Sequence, residues 1–241
     1  MRLAVLGSGS GGNSVVVTDR ETTILIDAGL SARQLCQRLQ GIGVDPDSID
    51  GILLSHEHSD HTAGLDDIRP FYFKQGNIPF YAHPRVFEAL HQRFAYIFEI
   101  ENKYPGAPTL DEVEIDKDTT FKIGGKKVVP IEVWHHDLPV LGFRVEGFTY
   151  ITDMKSVSEE EAEKIKGTDV LVVNALRHKP HRSHLNLEEA LAFINKIKPK
   201  RAYLTHISHL LGFHEEVSKE LPKNVFLAYD TLKITILRAG F

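Results

Sequence analysis

The sequence predicts an α/β chain folded as a four-layer αββα sandwich, two sheets face to face with helices on both outer faces. Three observations carry this expectation. The chain opens on a meander of apolar, β-branched runs, and a second strand-rich set begins near residue 119. Each set is followed by helical and strand patterns in turn, so both halves supply a sheet and the helices to cover it.

The first strands are expected at Arg2 to Leu6, Ser14 to Thr18 and Thr22 to Ile26, separated by a Gly-rich loop and the turn Asp19-Arg20-Glu21. A helix capped by Ser31 ends near Gly41 and Gly43. After Asp45-Pro46-Asp47, the apolar run Gly51 to Leu54 reads as a buried strand leading straight to His56. Helical patterns cover Leu65 to Lys74 and Pro84 to Phe98, flanking a short strand at Pro79 to Ala82. Tyr104 to Asp111, with Pro105 and Pro108, reads as a loop.

The second set comprises strands at Thr119 to Ile123, Lys126 to Trp134, Leu141 to Val145 and Phe148 to Thr152, with turn signals at Gly124-Gly125 and Glu146-Gly147. Ser158 to Ile165 follows as a helix with a Ser158/Glu161 capping box. Then come strand Asp169 to Leu176, helix Asn186 to Ile197, strand Arg201 to Thr205, helix Glu215 to Leu221, and strands Val225 to Ala228 and Leu232 to Leu237. No linker or repeat divides residues 1–241, so one domain is expected.

The 241 residues are 42% hydrophobic and 25% charged, which excludes disorder as the main state. A formal charge of −5 argues against a protein built to coat nucleic acid, while leaving room for a local phosphate-binding patch. No apolar run is long enough to span a bilayer, and the start lacks the apolar core of a secretory signal, so a cytoplasmic location without membrane contact is expected. The lone cysteine, Cys36, can form neither an internal disulfide nor a Cys-rich zinc site and reads as a small core residue. Aromatic residues at Phe71-Tyr72-Phe73 and at Phe87, Phe94, Tyr96 and Phe98 are expected mainly in the core, with a pocket wall or homodimer surface as alternatives.

The chain holds 13 His, and their placement carries the functional reading. His56-Glu57-His58-Ser59-Asp60-His61 sets four metal-ligand side chains within six residues at the end of an apolar strand. On a loop, His56 and His58 can reach one metal while Asp60 and His61 reach another about 3.5–4 Å away, the spacing of two-metal hydrolytic sites. The string Gly7-Ser8-Gly9-Ser10-Gly11-Gly12 contains a Gly-x-Gly-x-x-Gly pattern. A strand-like run rather than a helix follows it, which argues against a dinucleotide site.

His56, His58, Asp60 and His61 meet in full the His-x-His-x-Asp-His signature of the metallo-β-lactamase superfamily, which the chain resembles over nearly its whole length. The resemblance implies the metallo-β-lactamase fold and two divalent cations. It implies Asp153, after Tyr150-Ile151-Thr152, as the bridging carboxylate, and His206, after Ala202 to Thr205, as the last His ligand. Val133-Trp134-His135-His136-Asp137 offers two candidates for the remaining ligand; similarity to relatives with His followed by Asp favours His136 over His135. Asp27 is implied as a carboxylate orienting a ligand His, and Asp230 is expected in a like role. The donors are nitrogen and carboxylate oxygen, which suit Zn or Mn, with Fe acceptable.

The basic loop Arg177 to His184 follows a strand and precedes a helix, a position expected at the rim of the site. Its segment around His184, with Thr205-His206-Ile207-Ser208-His209, resembles the phosphoribosyl cyclic phosphate phosphodiesterase (PhnP-like) subgroup. That resemblance implies His184 as general acid; Arg182 and His209 are expected near substrate. Some members of the subgroup carry an extra cysteine-held zinc, which this chain cannot build. The expected activity is hydrolysis of a small or cyclic phosphodiester, hydroxide made available by metal coordination attacking phosphorus, with Asp60 and His184 in the catalytic set. A small nuclease of the same fold is the first alternative. A thioester or lactam hydrolase comes next, and a non-catalytic metal-binding sensor last.

Overall fold

The structure, a computed structural model, describes residues 1–99, 107 and 110–236. Three strands open the chain, β1 (Arg2–Gly9), β2 (Gly12–Thr18) and β3 (Thr23–Ile26), paired antiparallel in sequence. Helix α1 (Ala32–Gly41) then leads to β4 (Gly51–Leu53), and the short α2 (Ser59–Thr62) and α3 (Arg69–Gln75) lead to β5 (Ile78–Ala82). Helices α4 (Pro84–Arg93) and α5 (Ala95–Phe98) precede β6 (Leu110–Glu114). Strands β4, β5 and β6 extend the sheet in parallel from β3.

The second sheet repeats this plan. Antiparallel β7 (Phe121–Ile123), β8 (Lys126–His135), β9 (Leu138–Val145) and β10 (Phe148–Ile151) are followed by parallel β11 (Val170–Asn174), β12 (Arg201–Thr205) and β13 (Val225–Leu227). Its crossovers are α6 (Glu159–Ile165), α7 (Leu187–Ile197) and α8 (His214–Glu220). Finally β14 (Leu232–Thr235) returns to the first sheet and pairs antiparallel with β1, tying the two halves together.

Alternation along the strands builds three apolar layers. Leu3 and Val5 of β1 face the second sheet and pack in one cluster with Phe143, Tyr150, Val170 and Val172, while Ala4 and Leu6 face the helices with Leu35, Leu39 and Leu90. On β11 the neighbours of Val170 and Val172, Leu171 and Val173, turn to the opposite face and meet Ala162, Ile165 and Ile194. Strands covered on both faces must be apolar at successive positions, as β3, β10 and β11 are. The expected four-layer αββα arrangement is the one observed.

Several element boundaries differ from the expected ones. The pattern from Pro84 to Phe98 breaks at Phe94, whose φ of −121° and ψ of 40° are not helical. Pro70 has no N–H to give and fits only the first turn of a helix, so α3 begins at Arg69, with a separate 3-10 turn at Ala63–Leu65 before it. The expected loop over Tyr104 to Asp111 lies partly outside the described residues, and its end enters β6, which pairs with β5 as an edge strand without a strong apolar alternation. Leu237, expected to end the last strand, lies outside the described residues. The Ser158/Glu161 box is half made: Ser158 accepts from the Glu161 N–H, but the Glu161 carboxylate accepts from the Glu132 N–H and pairs with Lys164 instead. Cys36 is half-buried against the first helical layer, where burial raises its thiol pKa. Phe71, Phe87 and Phe94 are buried as expected, whereas Phe73 is exposed.

Candidate metal centre

The crevice lies at the C-terminal ends of strands from both sheets. Asp27 follows β3, His56 follows β4, His135 ends β8, Asp153 follows β10 and His206 follows β12. Three of these, Asp27 (φ 60°), Asp153 (φ 53°) and His206 (φ 53°), adopt the left-handed backbone region. That conformation costs a non-glycine residue roughly 1–2 kcal/mol and here turns the side chain off the strand line.

The signature segment is only partly a loop. His58 caps α2, so Asp60 and His61 leave one short helical turn while His56 and His58 precede it in extended chain. The turn is gripped by the segment after β3: the Ala28 N–H donates to the His61 carbonyl at 2.8 Å and the Gly64 N–H to the Ala28 carbonyl at 2.7 Å. The approach leaves no room for side chains. A Cβ on Gly64 would lie 1.9 Å from the Leu30 carbonyl oxygen, and one on Gly29 would lie 1.7 Å from that of Asp60. Gly64→Ala is expected to lower stability by about 3 kcal/mol or more, and so to lower the thermal midpoint of metal-free protein by roughly 6–12 °C; an unchanged midpoint would remove this account of the clamp.

Asp27 orders two imidazoles at once. It is wholly buried and accepts from the Ser55 N–H at 2.8 Å, Ser55 Oγ at 3.0 Å, His61 Nδ1 at 2.8 Å and the Tyr150 hydroxyl at 3.3 Å. Because Ser55 gives its hydroxyl proton to Asp27, its oxygen accepts from His56 Nδ1, 2.9 Å away. Both rings are thereby pinned through Nδ1 and present Nε2 to the crevice. His56 Nε2 is buried, has no hydrogen-bond partner and lies 3.3 Å from Asp153 Oδ2.

Asp153 is shared. Oδ2 faces His56, while Oδ1 lies 3.0 Å from His206 Nδ1 and 3.5 Å from His61 Nε2. His61 Nε2 is also 3.2 Å from Asp60 Oδ2. A tetrahedral zinc with bonds of about 2.0–2.2 Å spaces its ligands about 3.3–3.6 Å apart, so these separations fit a divalent cation. One set, Asp60, His61, Asp153 and His206, and a second, His56, His58 and Asp153, could each hold one.

His135, not His136, turns into this cluster, which corrects the preference drawn from the sequence. Its Nδ1 donates to the Asp153 carbonyl at 3.0 Å, leaving Nε2 free, and its ring lies 5.3 Å from that of His58 and 4.5 Å from that of His184. His136 sits with Asp137 in the two-residue turn between β8 and β9, at φ 58°. Its Nδ1 pairs with Asp137 at 2.5 Å and its Nε2 accepts from Arg182 Nε at 2.7 Å. Arg182 therefore fastens the basic loop to this turn. His184, mostly buried, groups with His135 and Asp153, while His209 is exposed at the mouth of the loop after His206.

Asp230 is also corrected. It accepts from the backbone and hydroxyl of Ser8 and pairs with Arg38 at 2.9 Å, bracing the glycine loop and touching no ligand His. Sequence reasoning missed two residues. Asn174 on β11 accepts from the Met154 N–H and donates to the Met154 carbonyl, fixing the turn that carries Asp153. Asn13, wholly buried at the start of β2, places its amide among Asp60, His61 and His206. A polar residue between the glycine loop and the β-branched run of β2 was the available signal for Asn13, and a polar residue closing the apolar run of β11 the signal for Asn174, but no local spacing names their partners.

The electrostatics suit side chains that could bind cations. Burial lowers His56 to about 4, so it is neutral and able to bind metal near pH 7. Burial works to raise Asp153, but His206 and His61 hold it well below the usual carboxylate range; Asp60, opposed likewise, is held to about 2 by His61. His61 is the reverse: burial disfavours its proton, yet Asp27 and Asp153 raise it well above 6.5. A cation bound at this position would have to expel that proton, so affinity is expected to rise with pH and level off above the His61 pKa. Calorimetric titration in two buffers of different ionisation heat should show the release, and pH-independent affinity would exclude it. Burial also takes His184 down to about 3, so its ring is neutral in the free site.

The family model described as "Beta-lactamase superfamily domain" matches residues 22–207. The crystal structure of a diphosphatase from the PhnP family superposes with a TM-score of 0.85 at 31% identity, covering 98% of each chain. A Porphyromonas gingivalis protein named octanoyltransferase is 35% identical over 94% of this chain. The exodeoxyribonuclease WalJ of Streptococcus pneumoniae is 26% identical over 72% of it. The chain spans only 45% and 62% of the lengths of these two relatives. Among the described residues no helix is long and apolar enough to cross a membrane.

Proposed function

Since the chain belongs to the β-lactamase superfamily, a family of metal-dependent hydrolases, we propose that it cleaves a phosphodiester or diphosphate bond of a small molecule with two divalent cations. The observation that carries this reading is the division of Asp153 between two histidine sets, one at each carboxylate oxygen. The cations would supply activated water near neutral pH and charge to polarise a phosphoryl group. His56, His58 and His135 with Asp153 Oδ2 would hold one, and Asp60, His61 and His206 with Asp153 Oδ1 the other.

The remaining residues prepare the site for an anionic substrate. Arg177, Lys179 and Arg182 lie on the loop that delivers His184, so a chain of net charge −5 concentrates cations at the rim of this crevice. His184 is neutral in the free site, and the field of a bound phosphate would draw onto it the proton that it gives to the departing oxygen. The likeness to the PhnP-family diphosphatase over both whole chains supports a small phosphate substrate. The octanoyl transfer named for the Porphyromonas relative is not carried over, because the match accounts for less than half of that protein.

The test is hydrolysis of bis(p-nitrophenyl) phosphate beside p-nitrophenyl phosphate by protein reconstituted with Mn or Zn, with metal measured on the same sample. Diester cleavage requiring about two ions per chain is expected. His184→Ala should retain both ions and lose roughly 10²–10⁴ in turnover. Loss of an ion in that variant would make His184 a ligand instead of an acid, and two ions without cleavage of the diester or of a diphosphate-linked substrate would shift the reading to carboxylic ester, thioester or lactam substrates. The likeness to WalJ gives the nuclease alternative its own arm: cleavage of single-stranded oligodeoxynucleotides with a steep salt dependence would favour it.

A further inference from the structure

Asn13 has no assigned part in the two-ion reading, yet its amide stands in the middle of one ligand set. Nδ2 lies 3.2 Å from His61 Nε2, 3.2 Å from His206 Nδ1 and 3.3 Å from Asp60 Oδ2. An NH2 group has two hydrogens and cannot serve three partners. The amide oxygen meanwhile is buried and has no hydrogen-bond partner at all, a loss of roughly 1–3 kcal/mol. On one wholly buried side chain the amide nitrogen is thus oversubscribed and the amide oxygen unsatisfied.

The spacing explains what is missing. The amide atom stands as far from the two imidazole nitrogens and the carboxylate oxygen as ligands of one cation stand from each other. A half-turn about the last side-chain bond exchanges nitrogen and oxygen and brings a neutral oxygen donor to that spot. The backbone is fixed for this purpose: the Gly29 N–H donates to the Asn13 carbonyl at 3.0 Å, and the missing Cβ of Gly29 allows the contact.

We propose that Asn13 is a further ligand, through its carboxamide oxygen, of the cation held by Asp60, His61 and His206. The inference rests on the two-ion reading above and deepens it. A carboxamide oxygen is a hard donor that adds no charge, so this position would be richer in oxygen than the one held by His56, His58 and His135, and would favour Mn over softer ions relative to it.

The experiment is titration of metal-free protein with Mn²⁺ in a calorimeter, with thermal midpoints recorded in EDTA. Wild type should take two ions. Asn13→Ala and Asn13→Leu should weaken the ion at this position tenfold or more and leave the other within about twofold, while Asn13→Asp should restore or exceed wild-type affinity. Wild-type affinity for both ions in Asn13→Leu would overturn the proposal, because the amide would then be filler. So would Asn13→Asp weakening this ion as much as Asn13→Ala, since that result marks the NH2 group as a hydrogen-bond donor to Asp60. Fewer than two ions on wild type would overturn the two-ion reading itself, and this assignment with it.

Discussion

Asp153→Asn is expected to abolish binding of both cations and to lower turnover by a factor on the order of 10³ or more. The carboxylate is wholly buried, and each oxygen faces a different histidine set. An amide of the same size keeps the packing but removes the charge and replaces one acceptor by a donor aimed at imidazole nitrogens. Thr152 Oγ1, which donates to Asp153 Oδ1 at 2.8 Å, would keep its bond only if the amide oxygen stayed on that side, leaving the NH2 group against His56. Cations at such a centre contribute several kcal/mol of transition-state stabilisation, and each 1.36 kcal/mol is a factor of ten. The measurement is metal content after dialysis, with turnover in excess Mn and a far-UV circular dichroism spectrum to establish the fold. A variant that holds two ions as tightly as wild type would mean that Asp153 is not shared.

The same variant would act on His61. Asp153 is one of two carboxylates that raise the pKa of that ring, so its loss should lower the pH above which metal-free His61 is neutral. A group whose pKa is raised on folding contributes stability fully below its unfolded pKa, near 6.5, and that contribution is lost as pH rises through the folded value. Metal-free wild type should therefore lose stability as pH climbs above about 6.5, and Asp153→Asn should show a smaller loss.

What the sequence made legible was the chemistry held in contiguous residues or at the ends of apolar runs. His56 to His61 could be read because the ligands are neighbours, and Asp27, Asp153 and His206 because each directly follows a strand evident from its composition. The layers could be read because both meanders carry apolar residues where two faces are covered. Asn13, Asn174 and Asp230 could not be placed this way. Their partners are set by how β1, β2, β11 and the segment after β13 dock, and such long-range pairings leave no periodic trace. Strand β6 was hidden because an edge strand needs only backbone pairing.

The choice between His135 and His136 turned on one residue of strand length, and it gives the second large effect. Strand β8 runs one residue beyond Trp134, pairing His135 with Leu138, so that His136 and Asp137 form the two-residue turn to β9. The left-handed φ at His136 carries its ring outward, where Arg182 and Asp137 satisfy both of its nitrogens. His135 keeps a free Nε2 beside His58, with the whole ring oriented by the Asp153 carbonyl. His135→Ala is accordingly expected to weaken the cation shared with His56 and His58 by more than about 100-fold, above the 10–100-fold typical of residues that only orient a ligand. His136→Ala should leave both cations in place and loosen the loop that Arg182 fastens, raising KM more than it lowers kcat. The single tryptophan, Trp134, adjoins His135, so its fluorescence can follow the titration beside calorimetry. Metal loss in His136→Ala with retention in His135→Ala would reverse the assignment, because no position of the β8–β9 turn brings both rings to Asp153 at once.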